Sequence, residues 1–277
     1  GVDYACNRFK VTPCSVTLSR IQGEPMPTEV EHRIHEQFGA DLHLPPVFRL
    51  RTLREAGRAF EHAQAVAAKE GAGTLVWVGR FDLVEFALVL EPEEPLAPAR
   101  RAIYAGMNAL ADTLAVHAPP NTPIHFEWPD AIFVSGGLVG GMQLAWPARV
   151  AESERPDWIV LGCVLRASMN MLDPGLKPDI TGLEEEGFDE LGPGRVVETF
   201  ARHFMVAVDT WQEIGFNQIA EEYLRRLPGE AGIERSIDSA GDLLTRRKGS
   251  AQIKKKKLAL ALAHPSWADP ESGEILS

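Results

Sequence analysis

The sequence predicts an α+β fold: a mixed or largely antiparallel sheet with helices packed on it, followed by a small β-rich C-terminal module. Three observations lead there. Strand-like runs cluster in pairs joined by tight turns. Helical stripes of apolar residues stand between and after those pairs. The regular strand–helix alternation of a doubly wound sheet does not recur. At 277 residues the chain has length for about two domains, or one domain with appendages. The divisions read as an extension over 1–44, a main domain over 45–229 and a small β-rich domain over 230–277.

Residues 1–44 mix Pro13, Pro25 and Pro27 with polar residues, and only Pro27 to Phe38 has helical character. Beyond Pro46, Val47, Phe48 and Leu50 suggest a short strand. Thr52-Leu53-Arg54-Glu55 has the form of a capping box, which predicts a helix start there. Ala56, Ala59, Phe60, Ala63 and Ala67 form one small-residue face of that helix, ended by Gly71 and Gly73. Thr74 to Val78 and Leu83 to Leu90 read as paired strands joined at Gly79-Arg80-Phe81-Asp82. Ile103, Met107, Leu110 and Leu114 then recur at helical spacing, with Pro98 near the start and Pro119-Pro120 past the end.

A strand around Ile124 to Phe126 precedes a hairpin from Ala131 to Trp146, turning at Ser135-Gly136-Gly137. Trp158 to Leu165 is an unbroken apolar run, the mark of a strand buried on both faces. Val197, Phe200, Phe204, Val208 and Trp211 stripe one further helix; Phe216, Ile219, Ala220, Tyr223, Leu224 and Leu227 stripe another, with Gly215 between. The helices are expected on one face of the sheet. After Pro228-Gly229, Asp242 to Arg246 and Ile253 to Leu262 read as β pieces.

Composition narrows the function classes. The 28 basic and 39 acidic side chains leave a formal charge of −11, which opposes sequence-independent binding to nucleic acid. No apolar run approaches the ~20 residues of a membrane helix, and GVDYACNRFK lacks the apolar stretch of a secretory signal. Cys6, Cys14 and Cys163 are odd in number and without CxxC spacing, and the eight histidines form no HxH or HExxH pair. A disulfide scaffold and a structural zinc site are therefore not expected, and a reducing, cytoplasmic setting is.

The most specific local feature runs from Glu127 to Gly141: a Trp128-Pro129-Asp130 corner opening a hairpin with glycines at 136, 137, 140 and 141. Glycine inside a strand often means that a ligand or another backbone comes close. On these residues the span 47–228 resembles the catalytic domain of the biotin/lipoate protein ligase superfamily, in its divergent bacterial branch with a short C-terminal domain. The family's Lys-Trp-Pro-Asn-Asp motif falls on Glu127 to Ala131, and its Gly-Ile-Leu strand falls on Gly141-Met142-Gln143-Leu144. Gly73-Thr74-Leu75-Val76, Ile159 to Leu165, Thr181-Gly182-Leu183 and the helices over 196–227 follow the family order.

The resemblance implies attachment of biotin, lipoate or a medium-chain acyl group to a lysine of a carrier domain, with ATP and Mg2+ activating the acid. It points to Arg80, Asp130, Cys163 and Arg166 as catalytic candidates, with Trp128, Gly136, Gly137, Gly140, Gly141 and Gln143 against the ligand; no metal ligand is assigned. Asp130 reads equally as a carboxylate capping its turn. Departures are concentrated where the family binds phosphate: the motif lysines are Glu127 and Leu138, the final aspartate is Ala131, and only Gly79-Arg80 stands for the arginine-rich loop. Two alternatives stay open: an ATP-independent transferase forming a thioester on Cys163, and a non-catalytic homologue that kept the pocket.

Overall fold

The computed structural model describes residues 42–54, 57–169, 179–188 and 191–276. Cys6, Cys14, Glu55 and the helix expected within Pro27 to Phe38 lie outside them. Seven strands form the main sheet: β1 (Arg49–Arg54), β2 (Thr74–Gly79), β3 (Leu83–Leu90), β4 (Ile124–Glu127), β5 (Ala131–Val134), β6 (Gly137–Ala145) and β7 (Ile159–Arg166). Their spatial order is β1-β2-β3-β7-β6-β5-β4. Only β1 and β2 run parallel, and the helix α1 (Ala59–Glu70) between them is the crossover that such a pair needs. β7 lies between β3 and β6 with every residue buried, which explains its lack of alternation.

The helices occupy both faces, not one as the sequence suggested. On one face α3 (Ala102–His117), α4 (Pro193–Glu213) and α5 (Phe216–Arg225) bury Ile103, Met107, Leu110, Phe200, Phe204 and Tyr223 in the main core; the short α2 (Leu96–Ala99) leads into them. On the other face α1 lays Ala59, Ala63 and Ala67 on Val76, Val78, Ala87 and Val89. Alanines at that spacing let the helix approach the sheet closely. Beyond α1, the same face over β5, β6 and β7 is covered by a non-helical segment whose Trp267 and Ile275 pack on Ala131, Leu138 and Val164.

The second sheet is antiparallel, with β9 (Leu243–Arg247) between β8 (Ile233–Ile237) and β10 (Ile253–Lys256). β8 escaped the sequence reading because its burial alternates between half-buried and exposed rather than apolar and polar. The expected strand through Leu262 stops at Lys256; Leu258–Ala261 is a short helix, α6. Its Leu258, with Leu262, is buried in the main core, and Asp242 Oδ1 accepts the Leu258 N–H at 2.8 Å.

The predicted capping box is also corrected. Thr52 sits in β1 opposite Trp77, because parallel pairing carries the strand through Arg54. Helix α1 begins at Ala59, after an Arg58 that supplies no side-chain cap. Its first N–H is instead satisfied from the sheet: Ala59 donates to Glu85 Oε1 at 2.8 Å. Burial raises the Glu85 pKa, and that bond opposes the rise. Glu85→Ala is expected to lower stability by about 1–3 kcal/mol, by stranding a buried donor. Glu85→Gln, which keeps an acceptor, is expected to cost much less; urea denaturation of the two variants checks the difference.

Candidate functional site

The Trp128-Pro129-Asp130 corner joins β4 to β5 through a cis Trp128–Pro129 peptide. Two buried tyrosines hold it. Trp128 Nε1 donates to Tyr104 Oη at 2.9 Å, Tyr104 donates to the Gly241 carbonyl at 2.6 Å, and Tyr223 donates to the Pro129 carbonyl at 2.9 Å. The tyrosine rings meet edge to face at 4.6 Å. Burial raises both phenol pKa values, so both stay protonated donors.

On one side of the corner, Trp128 lines a cleft of about 880 Å3 between the hairpin and the small sheet. Phe133, Leu227 and Leu243 contribute apolar surface; Arg246, Arg247, Lys254 and Lys256 make it basic. Lys256 Nζ lies 5.9 Å from the Trp128 ring centroid. His125 stacks on Phe133 at 5.1 Å, and burial lowers its pKa.

On the other side, Asp130 is fully buried. Its Oδ1 accepts the Ser266 N–H at 3.2 Å and the Ser266 hydroxyl at 2.7 Å, while Oδ2 is buried without a partner. Loss of solvent lifts its pKa to about 6, against the pull of the Ser266 bonds. Trp267 is buried against Gly141, and its indole N–H donates to the Met142 carbonyl at 2.8 Å. A Cβ at Gly141 would collide with the Trp267 ring and the Asp130 carbonyl.

Two of the four residues proposed as catalytic, Asp130 and Arg166, meet this same segment. Asp130 holds Ser266. Arg166, buried at the end of β7, donates to the carbonyls of Leu138 at 3.3 Å, Thr181 at 3.2 Å and Leu276 at 3.1 Å. Arg80 pairs instead with Asp82 at 2.7 Å, and that bond raises its pKa. Arg58, which the sequence reading missed, donates to the Ser272 carbonyl. The convergence is on residues 266–276 and not on the cleft lined by Trp128.

Cys163 stands apart. Strand alternation puts it with Met142 and Phe86 on the face covered by α3, α4 and α5, whereas Gly141, Val164 and Glu85 share the face of Trp267. The thiol is buried, and its pKa is pushed well up by loss of solvent. A nucleophile needs the opposite, access and a neighbouring cation.

The glycines close on the protein itself. A Cβ at Gly137 would strike Thr181, and one at Gly140 (φ +139°) would strike the Val164 carbonyl, where β5 and β6 shift register. Ser135 and Gly136 both take positive φ at the turn, and Gly136 has open space beyond it. Gln143 is half-buried and touches the close approach of Phe60 to Gly162. At the family's lysine positions Glu127 is exposed and Leu138 buried, and Ala131 is buried too. No group of three or more metal-ligating side chains occurs among the described residues. With these side chains, and with Arg166 and Arg58 engaged by backbone carbonyls, the face does not fit a magnesium nucleotide.

The profile of the Biotin/lipoate A/B protein ligase family matches residues 44–225. Among curated proteins, none matches the chain. A biotin protein ligase-like protein of unknown function from a Silicibacter species is 25% identical, with a TM-score of 0.69 over 79% of this chain and 98% of that one. The apo biotin protein ligase of Aquifex aeolicus is 13% identical, with a TM-score of 0.58 over 76% and 99%. The same enzyme in complex with biotin and ATP, also 13% identical, gives 0.52 over 76% and 99%. These last two likenesses are of fold.

The buried Asp130 has a pH signature. Its pKa of about 6 in the folded chain exceeds the value near 3.8 of a free carboxyl, so the folded state holds the proton more tightly. Stability therefore falls as pH rises from about 4 to about 6, by roughly 2–3 kcal/mol, and the loss persists above. Asp130→Asn is expected to be more stable than the parent at pH 8 and to lose that advantage near pH 4. Denaturation midpoints across that range check it.

Proposed function

Since the chain belongs to the Biotin/lipoate A/B protein ligase family, we propose that it binds a carboxylic-acid cofactor of the biotin, lipoate or medium-chain acyl class. Its acyl group is destined for a lysine of a carrier domain. The observation that carries this reading is the seat of Trp267 on the sheet face between Asp130 and Arg166. Gly141 supplies depth, Ala131, Leu138 and Val164 supply apolar walls, and Arg166 supplies a cation at one end. A slot that accepts an indole suits a flat ring or an acyl chain; a guanidinium at its end suits a carboxylate.

The carrier's path is the basic cleft beside Trp128. Arg247 and Lys254 suit an acidic surface around an acceptor lysine, although the chain as a whole carries −11. The residues do not fit ATP with Mg2+ while backbone carbonyls hold Arg166 and Arg58. The same departures at Glu127, Ala131 and Leu138 favour a second reading, a homologue that binds the acid without turning it over.

Calorimetric titration of the full chain with biotin, lipoate and octanoate tests the first reading. One acid is expected to bind, and Arg166→Gln to weaken it about tenfold or more by removing a charge-assisted contact. Binding of none of the three, by the parent or by Trp267→Ala, would refute it. Pyrophosphate exchange or transfer to a carrier domain separates the readings: turnover excludes the binding homologue, and tight binding without either supports it.

A further inference from the structure

We infer that the segment Pro265 to Leu276 is a displaceable internal occupant of the acid slot, a strap that keeps the site closed until ligand enters. The inference rests on the acid-binding reading above and adds a regulatory element to it.

The strap makes the contacts that an acid would need. Its Trp267 ring fills the space over Gly141 and packs on Ala131, Leu138 and Val164. Its carbonyl oxygens sit on the cations of that face, Leu276 on Arg166 and Ser272 on Arg58. A ring in the slot and oxygens on the guanidiniums together mimic an anionic ligand with an apolar body.

The strap also has the construction of a part that moves as a unit. Ala268 bridges Ile275, Asp269 N–H donates to the Glu274 carbonyl at 2.8 Å, and Leu276 N–H donates to the Trp267 carbonyl at 2.9 Å. The hairpin thus carries its own hydrogen bonds. Only Trp267 and Ile275 in it are buried, and the exposed Ala263 and His264 connect it to α6. Backbone groups satisfied within the hairpin leave with it, so its docking rests on Trp267, Ile275 and the bonds to Asp130, Arg166 and Arg58.

Closure carries a cost that opening removes. The docked Ser266 covers the Asp130 carboxyl, whose Oδ2 is buried without a partner. Release would return that oxygen to water and free the Arg166 Nη2 and Arg58 donors for an incoming carboxylate. Ligand affinity would then be reduced by the fraction of molecules that are closed.

The test compares the full-length parent with Trp267→Ala and Ser266→Ala, titrating each with biotin, lipoate and octanoate. Removing the ring or the latch to Asp130 is expected to tighten binding of the preferred acid by about tenfold or more, the shift that loss of one buried anchor or two carboxylate bonds makes. Thermal unfolding checks the fold; should Trp267→Ala not fold, Ser266→Ala carries the comparison. Equal, measurable affinity in the parent and the folded variants would overturn the strap and leave the acid-binding reading standing. Absence of binding in all of them would overturn the acid-binding reading and the strap with it.

Discussion

The absence of a side chain at position 141 is the constraint on which the site depends. β6 carries Gly141 at the point where Asp130 and Trp267 both press on it, and a single methyl there would collide with each. Because that methyl is missing, an indole packs against the sheet there and its N–H reaches the Met142 carbonyl. Ser266 then falls over Asp130, and Leu276 over Arg166. One small residue in a central part of the sheet therefore decides what covers a whole quadrant of it.

The Trp128-Pro129-Asp130 corner divides that arrangement into two environments only a few residues apart. Tyr104 and Tyr223 anchor it from the helical side, where neutral phenols satisfy an indole and a carbonyl without introducing charge. Trp128 then faces a basic cleft, and Asp130 faces a closed, nearly apolar slot. The cations follow the same division. Arg246, Arg247 and Lys254 line the open cleft, whereas Arg166 and Arg58 are held by the strap's carbonyls. In a chain with net charge −11, these cations stand against the overall sign of the molecule.

Much of the fold was legible because its signals are local. The paired strands 74–78 and 83–90, the buried β7 and the stripes of α3, α4 and α5 all carry their burial pattern in their own residues. The start of α1 was not legible: its first N–H is satisfied by Glu85, from a strand that follows the helix. A cap supplied across the sheet leaves no mark near the helix. The small sheet was half legible, since β8 buries little on either face.

For the site, the Trp-Pro-Asp corner and the glycines were visible, but what fills the space beside them was not. Gly140 and Gly137 close on backbone and on Thr181, and Gly141 closes on a tryptophan 126 positions later. The one available signal was Trp267 itself, a large apolar residue alone in the polar stretch His264 to Pro270. Cys163 was assigned by chemistry and not by face; the period of two along β7 puts it opposite Arg166 and Val164.

The central claim is that Trp267 and an acid ligand compete for one slot. Fluorine NMR of the protein carrying 5-fluorotryptophan, with the Trp267 signal assigned through Trp267→Phe, reads that competition directly. As the bound acid approaches saturation, the Trp267 resonance should move from its buried position to that of a solvated indole. A resonance that stays in place while the acid saturates the protein would contradict the account.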